Sequence, residues 1–213
     1  MAYNNGAANV STTRPITGIG SGAAYLTISD GATYNYGTKA NGSVTSKTFT
    51  ITNTGAGTAT TINESAVTAP YRFAGGGAFP GTGGTCVLNG SLAAAATCTF
   101  IVEFAPISSG GYLLDMQINY FDGAFTTAAI RTINGVGVTP SLLTISDGPT
   151  YDYGPVSSAA PVDKILTVSN TGSFTATAMV ASGLSGSFLF TGGTYPGTGG
   201  TCSTTLAGNT SCK

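Results

Sequence analysis

The chain has 213 residues, 41% of them hydrophobic and only 7% charged, with a net charge of −1. The apolar content is enough for a core. The near-neutral balance excludes the electrostatic footprint of a nucleic-acid or anionic-membrane binder, and it is not the composition of a disordered chain. Histidine and tryptophan are absent. The commonest general base and metal ligand is therefore missing, and no apolar run approaches the length of a membrane span.

The elements follow a long period. Leu26-Thr-Ile-Ser-Asp-Gly-Ala-Thr-Tyr-Asn-Tyr-Gly37 recurs as Leu143-Thr-Ile-Ser-Asp-Gly-Pro-Thr-Tyr-Asp-Tyr-Gly154, displaced by 117 residues. The two copies differ only at Ala32/Pro149 and Asn35/Asp152. On this period residues 1–22 are not a leader. Met1 to Ala7 aligns with Ile118 to Ala124, Arg14 with Arg131, and Gly18 and Gly20 with Gly135 and Gly137. They are predicted to be the last hairpin of a preceding repeat, turning at Asn5-Gly6 as its counterpart turns at Asp122-Gly123. No basic region followed by an apolar stretch marks a signal peptide at this end.

Residues 23–139 are predicted to be one complete repeat. Strands are expected over residues 24–29, 45–53, 58–67, 71–73, 97–104, 112–120 and 124–138. In residues 97–104, Cys98, Phe100, Val102 and Phe104 share one face by alternation. In residues 112–120, Leu114, Met116, Ile118 and Tyr120 do the same. No stretch has helical periodicity with caps. Short strands with regular turn signals predict an antiparallel sandwich, so the fold class is all-β, in tandem immunoglobulin-like sandwiches of about 117 residues each.

Residues 135–140 are expected to link this repeat to the next, and a short Pro-containing linker predicts a stiff rod of stacked domains. Residues 140–213 are predicted to be an incomplete repeat. They reproduce Pro80-Gly-Thr-Gly-Gly-Thr-Cys86 as Pro196-Gly-Thr-Gly-Gly-Thr-Cys202 but lack counterparts of residues 100–117. Such a half-sandwich is expected to expose an apolar groove and unpaired ladder groups. Three explanations stand beside one another: a longer tandem array, strands lent by a neighbouring subunit, or a poorly ordered end. Residues 1–22 alone would supply only the hairpin that follows the gap.

The four cysteines form two local pairs at matching positions, Cys86/Cys98 and Cys202/Cys212. Their spacing does not suit zinc. They read as one disulfide per repeat, or as reduced core thiols, and disulfides imply an oxidising compartment.

These motifs together resemble a family. The aromatic-x-aromatic-Gly, the strand ending Asn-Thr-Gly, Gly-Gly-Thr-Cys, and a second Cys leading into Phe100-Ile-Val-Glu-Phe-Ala-Pro106 are similar to the choice-of-anchor D repeats of bacterial surface proteins. These in turn resemble the ASPM–SPD-2–Hydin immunoglobulin-like domains. The resemblance implies an exported, repetitive, non-enzymatic bacterial protein with its paired cysteines as disulfides, and it transfers no catalytic residue.

Without histidine a Ser-His-Asp arrangement is excluded, and the eight acids suggest no paired cleft, so the chain is expected not to be an enzyme. No metal and no cofactor is expected. The Gly-rich loops 75–85 and 192–201 lack the Lys-Ser/Thr ending of a phosphate loop. Their aromatics, Phe79 and Tyr195, are candidate partner contacts. Asp30-Gly31 and Asp147-Gly148 read as plain turns before calcium sites. Lys47 and Lys164 are weak candidates for an isopeptide bond to Asn53 and Asn170. The expected role is a stalk or fibre of an extracellular, adhesin-like protein, whose partners are other copies or neighbouring subunits and a host or prey surface ligand. The alternatives are glycan or protein binding through loop tips, and a filament assembled by strand complementation.

Overall fold

Alternation of apolar and polar residues along each strand decides which side chains turn inward, and those residues lie between two sheets. The computed structural model describes residues 1–20, 22–65 and 67–213. Its strands are β1 (Ala2–Asn4), β2 (Asn9–Ser11), β3 (Leu26–Ile28), β4 (Thr33–Ala40), β5 (Thr45–Asn53), β6 (Ala59–Glu64), β7 (Tyr71–Phe73), β8 (Gly90–Leu92), β9 (Thr97–Phe104), β10 (Gly110–Phe121), β11 (Thr126–Val138), β12 (Leu143–Ile145), β13 (Val168–Asn170) and β14 (Ser211–Cys212). Ala66, inside the expected strand 58–67, lies outside the described residues.

One sheet has the order β3-β5-β9-β7 and the other β4-β11-β10-β6-β8. Phe49, Ile51, Phe100, Val102 and Phe104 from the first meet Tyr36, Ile62, Met116, Ile118, Tyr120 and Ile133 from the second in one core. The rings of Phe49 and Phe100 stack at 5.3 Å, and Tyr36 and Phe104 lie 5.5 Å apart. Pairs of this kind add to the area burial that drives the packing.

The pairing corrects two expectations. The sandwich is not wholly antiparallel, because β4 pairs in parallel with β11. Between Asn134 and Val136 the register shifts, so Tyr36 and Gly37 both stand opposite Gly135. Gly37 takes φ +75°, which admits the extra residue. The bulge leaves Tyr36 buried with its hydroxyl donating to the Val102 carbonyl at 2.9 Å. A Cβ on Gly135 would stand 2.7 Å from the Phe104 ring, so a side chain there would displace the core. Second, Gly135 to Val138 belong to β11 rather than to a linker, and the connection to β12 is residues 139–142.

The end of β5 carries a buried amide. Asn53 Oδ1 accepts from the backbone N–H of Tyr25 and Gly55, both at 3.1 Å. Its Nδ2 donates to the carbonyls of Gly57 and Leu92 at 2.8 and 2.9 Å. The start of β3, the turn after β5 and the end of β8 are thus tied to one side chain.

Residues 140–213 carry a three-stranded sheet, β12-β13-β14. The same Leu-Thr-Ile triplet has two fates. Leu26 and Ile28 are 3% and 7% exposed, whereas Leu143 and Ile145 are 40% and 60% exposed. Residues 150–157, the counterparts of β4, form no strand. β4 exists by pairing with β11, and among the described residues no such partner lies beside residues 150–157. The N-terminal hairpin β1-β2 forms its own two-stranded sheet, with its side chains exposed except for half-buried Val10.

Replacing Asn53 with Ala leaves two part-buried donors and two buried acceptors unpaired, so we expect a loss of about 3–5 kcal/mol. Asn53→Asp, which keeps the acceptors and loses the donors, should also destabilise. Urea midpoints at unchanged slope are the measurement; a loss below about 1 kcal/mol would contradict this role.

Candidate functional site

The surfaces singled out by sequence are the Gly-rich loops, the cysteine pairs and the Asp-Gly turns. Loop 74–86 begins in a 3-10 turn, Ala74–Gly76. It folds back so that Thr82 N–H donates to the Ala74 carbonyl at 2.9 Å. The loop then lies along β9: Ile101 N–H donates to Pro80, and Thr85 and Cys86 N–H both donate to Thr99. Cys86 is bonded to Cys98 and Cys202 to Cys212, and among the described residues no cysteine is free. The second loop is tied down alike, with Thr201 and Cys202 N–H donating to the Lys213 carbonyl.

This geometry corrects the reading of Phe79 as a partner contact. Phe79 is a buried core residue, edge-on to Phe73 at 5.6 Å and 5.9 Å from Phe100. The glycines let the loop turn so that its aromatic points inward. Tyr195 makes the equivalent edge contact with Phe190 at 5.5 Å. It is half-buried, and among the described residues none packs on it as Phe100 packs on Phe79. Neither ring is presented at a loop tip.

The Asp-Gly turns carry ion pairs. Lys47 Nζ lies 2.6 Å from Asp30 Oδ1 and 4.8 Å from the centre of the Tyr34 ring. Lys164 Nζ lies 2.9 Å from Asp147 Oδ1 and 4.4 Å from the Tyr151 ring. The Lys47 ammonium first, and the Ser29 hydroxyl second, hold the Asp30 carboxyl below its ordinary range. Lys164 and Ser146 do the same to Asp147, which in turn raises Lys164. Both oxygens of each carboxylate are taken, Asp30 by Lys47 and Ser29, and Asp147 by Lys164 and Ser146. A bound cation would have to displace a lysine there. The isopeptide reading fails as well, since Lys47 sits on Asp30 while the Asn53 amide is fully engaged elsewhere. Among the described residues no three metal-ligating side chains gather, and no helix is long and apolar enough to cross a membrane. An open depression of about 370 Å³ lies beside Pro70, Tyr71, Ile107 and Tyr112. Its one charged wall, Arg72, is paired with Glu103 at 2.8 Å.

Sequence reasoning expected an apolar groove in residues 140–213 without naming all of its residues: Leu143, Ile145, Leu166 and Phe188 are all exposed. Their counterparts Leu26, Ile28 and Phe49 are core residues, so the period itself was the available signal.

No family model matches the chain, and no curated protein matches it. Solved structures to which it is similar include the VesB protease of Vibrio cholerae, at 17% identity and a TM-score of 0.42 over 53% of this chain. The match spans 31% of that protease, so the chain corresponds to about a third of its length. The PapD-like domain 7 of human CEP192, an ASH domain, matches at 16% identity and a TM-score of 0.40, over 62% of this chain and 96% of its own. A family 123 glycoside hydrolase from Clostridium perfringens matches at 7% identity and a TM-score of 0.37, over 55% of this chain and 27% of its own. At these identities the likeness is one of fold. It nevertheless corrects the expectation that the chain is not an enzyme. Enzymes are among the structures it is similar to, and a count of residue types within one segment does not exclude an activity of a longer polypeptide.

A carboxyl held below its ordinary 3.8 stabilises the fold above that value, and the contribution is lost as pH falls through the lowered value. Lys47→Met should therefore flatten the acid limb of stability below about pH 5 and return the Asp30 carboxyl, followed by NMR titration, toward its ordinary value. An unchanged Asp30 titration would refute the pairing. Replacing Cys86 and Cys98 with Ser should cost about 2–3 kcal/mol by the loop-closure estimate, read as a lowered midpoint in the absence of reductant.

Proposed function

We propose that the chain is part of a tandem array of immunoglobulin-like sandwiches, about 117 residues each, in an exported bacterial surface protein, and that the array acts as a stalk or fibre. One observation carries this reading. Three independent local devices recur, the first two at the same phase and the third within a few residues of it: the buried amides of Asn53 and Asn170, the pairs Lys47–Asp30 and Lys164–Asp147, and the two disulfides. Repetition of scaffolding rather than of a binding cleft suits a spacer whose length is its use. The disulfides suit an oxidising compartment outside the cytoplasm. The motif resemblance to choice-of-anchor D repeats points the same way. Recognition through loop tips loses its main support with Phe79 in the core.

The test is a graft. Replacing Lys213 with the sequence of residues 99–138 supplies the counterparts of β9, β10 and β11 to the second segment. We expect slow amide exchange at residues 143–145 and 150–157, and by small-angle scattering a particle about twice as long as one sandwich. Persistent fast exchange at residues 143–145 overturns the tandem reading. A compact, side-by-side particle overturns the stalk.

A further inference from the structure

The chain enters the complete sandwich at one pole and leaves it at the other. Ala24 N–H donates to the Asp122 carbonyl at 2.9 Å, so the entry lies beside the turn that joins β10 to β11. The exit is the far end of β11, where Asn41 N–H donates to the Val138 carbonyl at 2.8 Å. Between the poles β11 runs 13 residues, about 40 Å of extended chain. No slack follows. The Val138 carbonyl is bonded within the sandwich, and the next carbonyl, that of Thr139, accepts from Phe174 N–H at 2.9 Å in the following segment. The Thr139 hydroxyl donates to Ser173 Oγ and accepts from Ser173 N–H, both at 3.0 Å.

A pull on the two ends therefore acts along the strands, and the strands that receive it are bonded sideways. β3 is paired with β5, Leu26 opposite Asn53, Thr27 opposite Thr52 and Ile28 opposite Ile51. It is also tied to the other sheet. Leu26 N–H donates to the Tyr120 hydroxyl at 3.1 Å, and Arg131 Nη2 donates to the Ile28 carbonyl. Behind β3 comes β4, whose ladder with β11 has six pairs, from Thr33 opposite Thr132 to Ala40 opposite Val138. This ladder is parallel. The pull reaches β4 at its Thr33 end and β11 at its Val138 end, which lie at opposite ends of the ladder. All rungs are then strained at once. An antiparallel β4 would bring the two loaded ends side by side, and the rungs would break one after another.

We propose that the sandwich of residues 23–138 is a tension-bearing unit, loaded along the axis of the array, in which the parallel β4–β11 ladder and the ties of β3 resist extension as one clamp. The inference rests on the stalk reading above and gives the stalk a mechanical task. It accounts for two features that closing a core does not require. One is the parallel pair itself, since the other strand pairs of this sandwich are antiparallel. The other is Arg131, 5% exposed. Burying a guanidinium is costly, and this one is spent on the strand where the pull first falls.

Single-molecule extension of the full chain tests the clamp by direction. Held at its two termini, the chain should show a rupture that releases about 300 Å, the length of the sandwich with its disulfide loop still closed. Held instead at the C-terminus and at a handle in place of exposed Val44, between β4 and β5, the same sandwich is opened from the end where Ala40 faces Val138. Forced opening is governed by the unfolding rate, so at equal loading rate the axial rupture should need at least about twice the force of the corner rupture. Arg131→Met should lower the axial force and leave the corner force unchanged, because Arg131 sits toward the other end of the ladder. A variant that only weakened the fold would lower both. Equal forces in the two directions overturn the proposal. So does a loss from Arg131→Met of the same size in both. If the forces are equal while the grafted chain is elongated by scattering, this inference fails and the stalk reading stands. If the grafted chain is compact, the stalk reading fails whatever the forces.

Discussion

The fold depends first on the carboxamide of Asn53. A strand that ends inside a protein leaves backbone groups that must find partners, and an unpaired buried one costs as much as several good contacts gain. A primary amide is suited to that place because it offers two donors and a two-lone-pair acceptor on a short stem. Asn53 uses all of them at once, on Tyr25, Gly55, Gly57 and Leu92. Asn170 repeats the arrangement on Leu142, Gly172, Phe174, Leu206 and Ala207. It is buried to the same degree as Asn53, although among the described residues the segment around it has no opposing sheet. The amide latch is therefore a property of one end of one sheet and does not need the sandwich.

The inner face behaves in the opposite way. Leu143-Thr-Ile145 has the same residues and the same antiparallel partner, β13, as Leu26-Thr-Ile28 has in β5. Its leucine and isoleucine nevertheless remain in solvent. Burying a large aliphatic side chain is worth about 1.5–3 kcal/mol, and that gain requires the second sheet. Residues 140–213 are held by the latch, the Cys202–Cys212 bond, the Lys164–Asp147 pair and a small buried cluster of Ala176, Cys202, Leu206 and Cys212.

Much of this was legible from period and parity. Alternation in residues 45–53 and 97–104 placed Phe49, Ile51, Phe100, Val102 and Phe104 inside, where they are. The recurrence of Asn-Thr-Gly marked both latch residues, although a polar residue ending a strand reads as a turn signal and not as a buried anchor. Three things were hidden. The strand β4 lacks alternation because Gly37 inserts a bulge, so its parallel pairing with β11 left no trace in periodicity. Phe79 sits among glycines, which suggest an exposed tip, whereas here they supply the positive φ values that turn the aromatic inward. The exclusion of an enzyme rested on residue types inside the chain, and residue types carry no information about a longer polypeptide.

The contacts that recur are local in sequence. Lys–Asp pairs span 17 residues, the cysteine pairs 12 and 10, and the Asn53–Leu92 and Asn170–Leu206 contacts 39 and 36. Within residues 23–138, Tyr120 to Leu26 spans 94 residues and Arg131 to Ile28 spans 103. Closing a long loop costs more entropy than closing a short one, and the cost is recovered only when apolar surface is buried at the same time. The carboxylate of Asp30 marks the junction between the two kinds of contact. It takes Lys47 from its own sheet and feels Arg131 from the other, so the same group that fixes a local turn also registers the arrival of the opposing sheet.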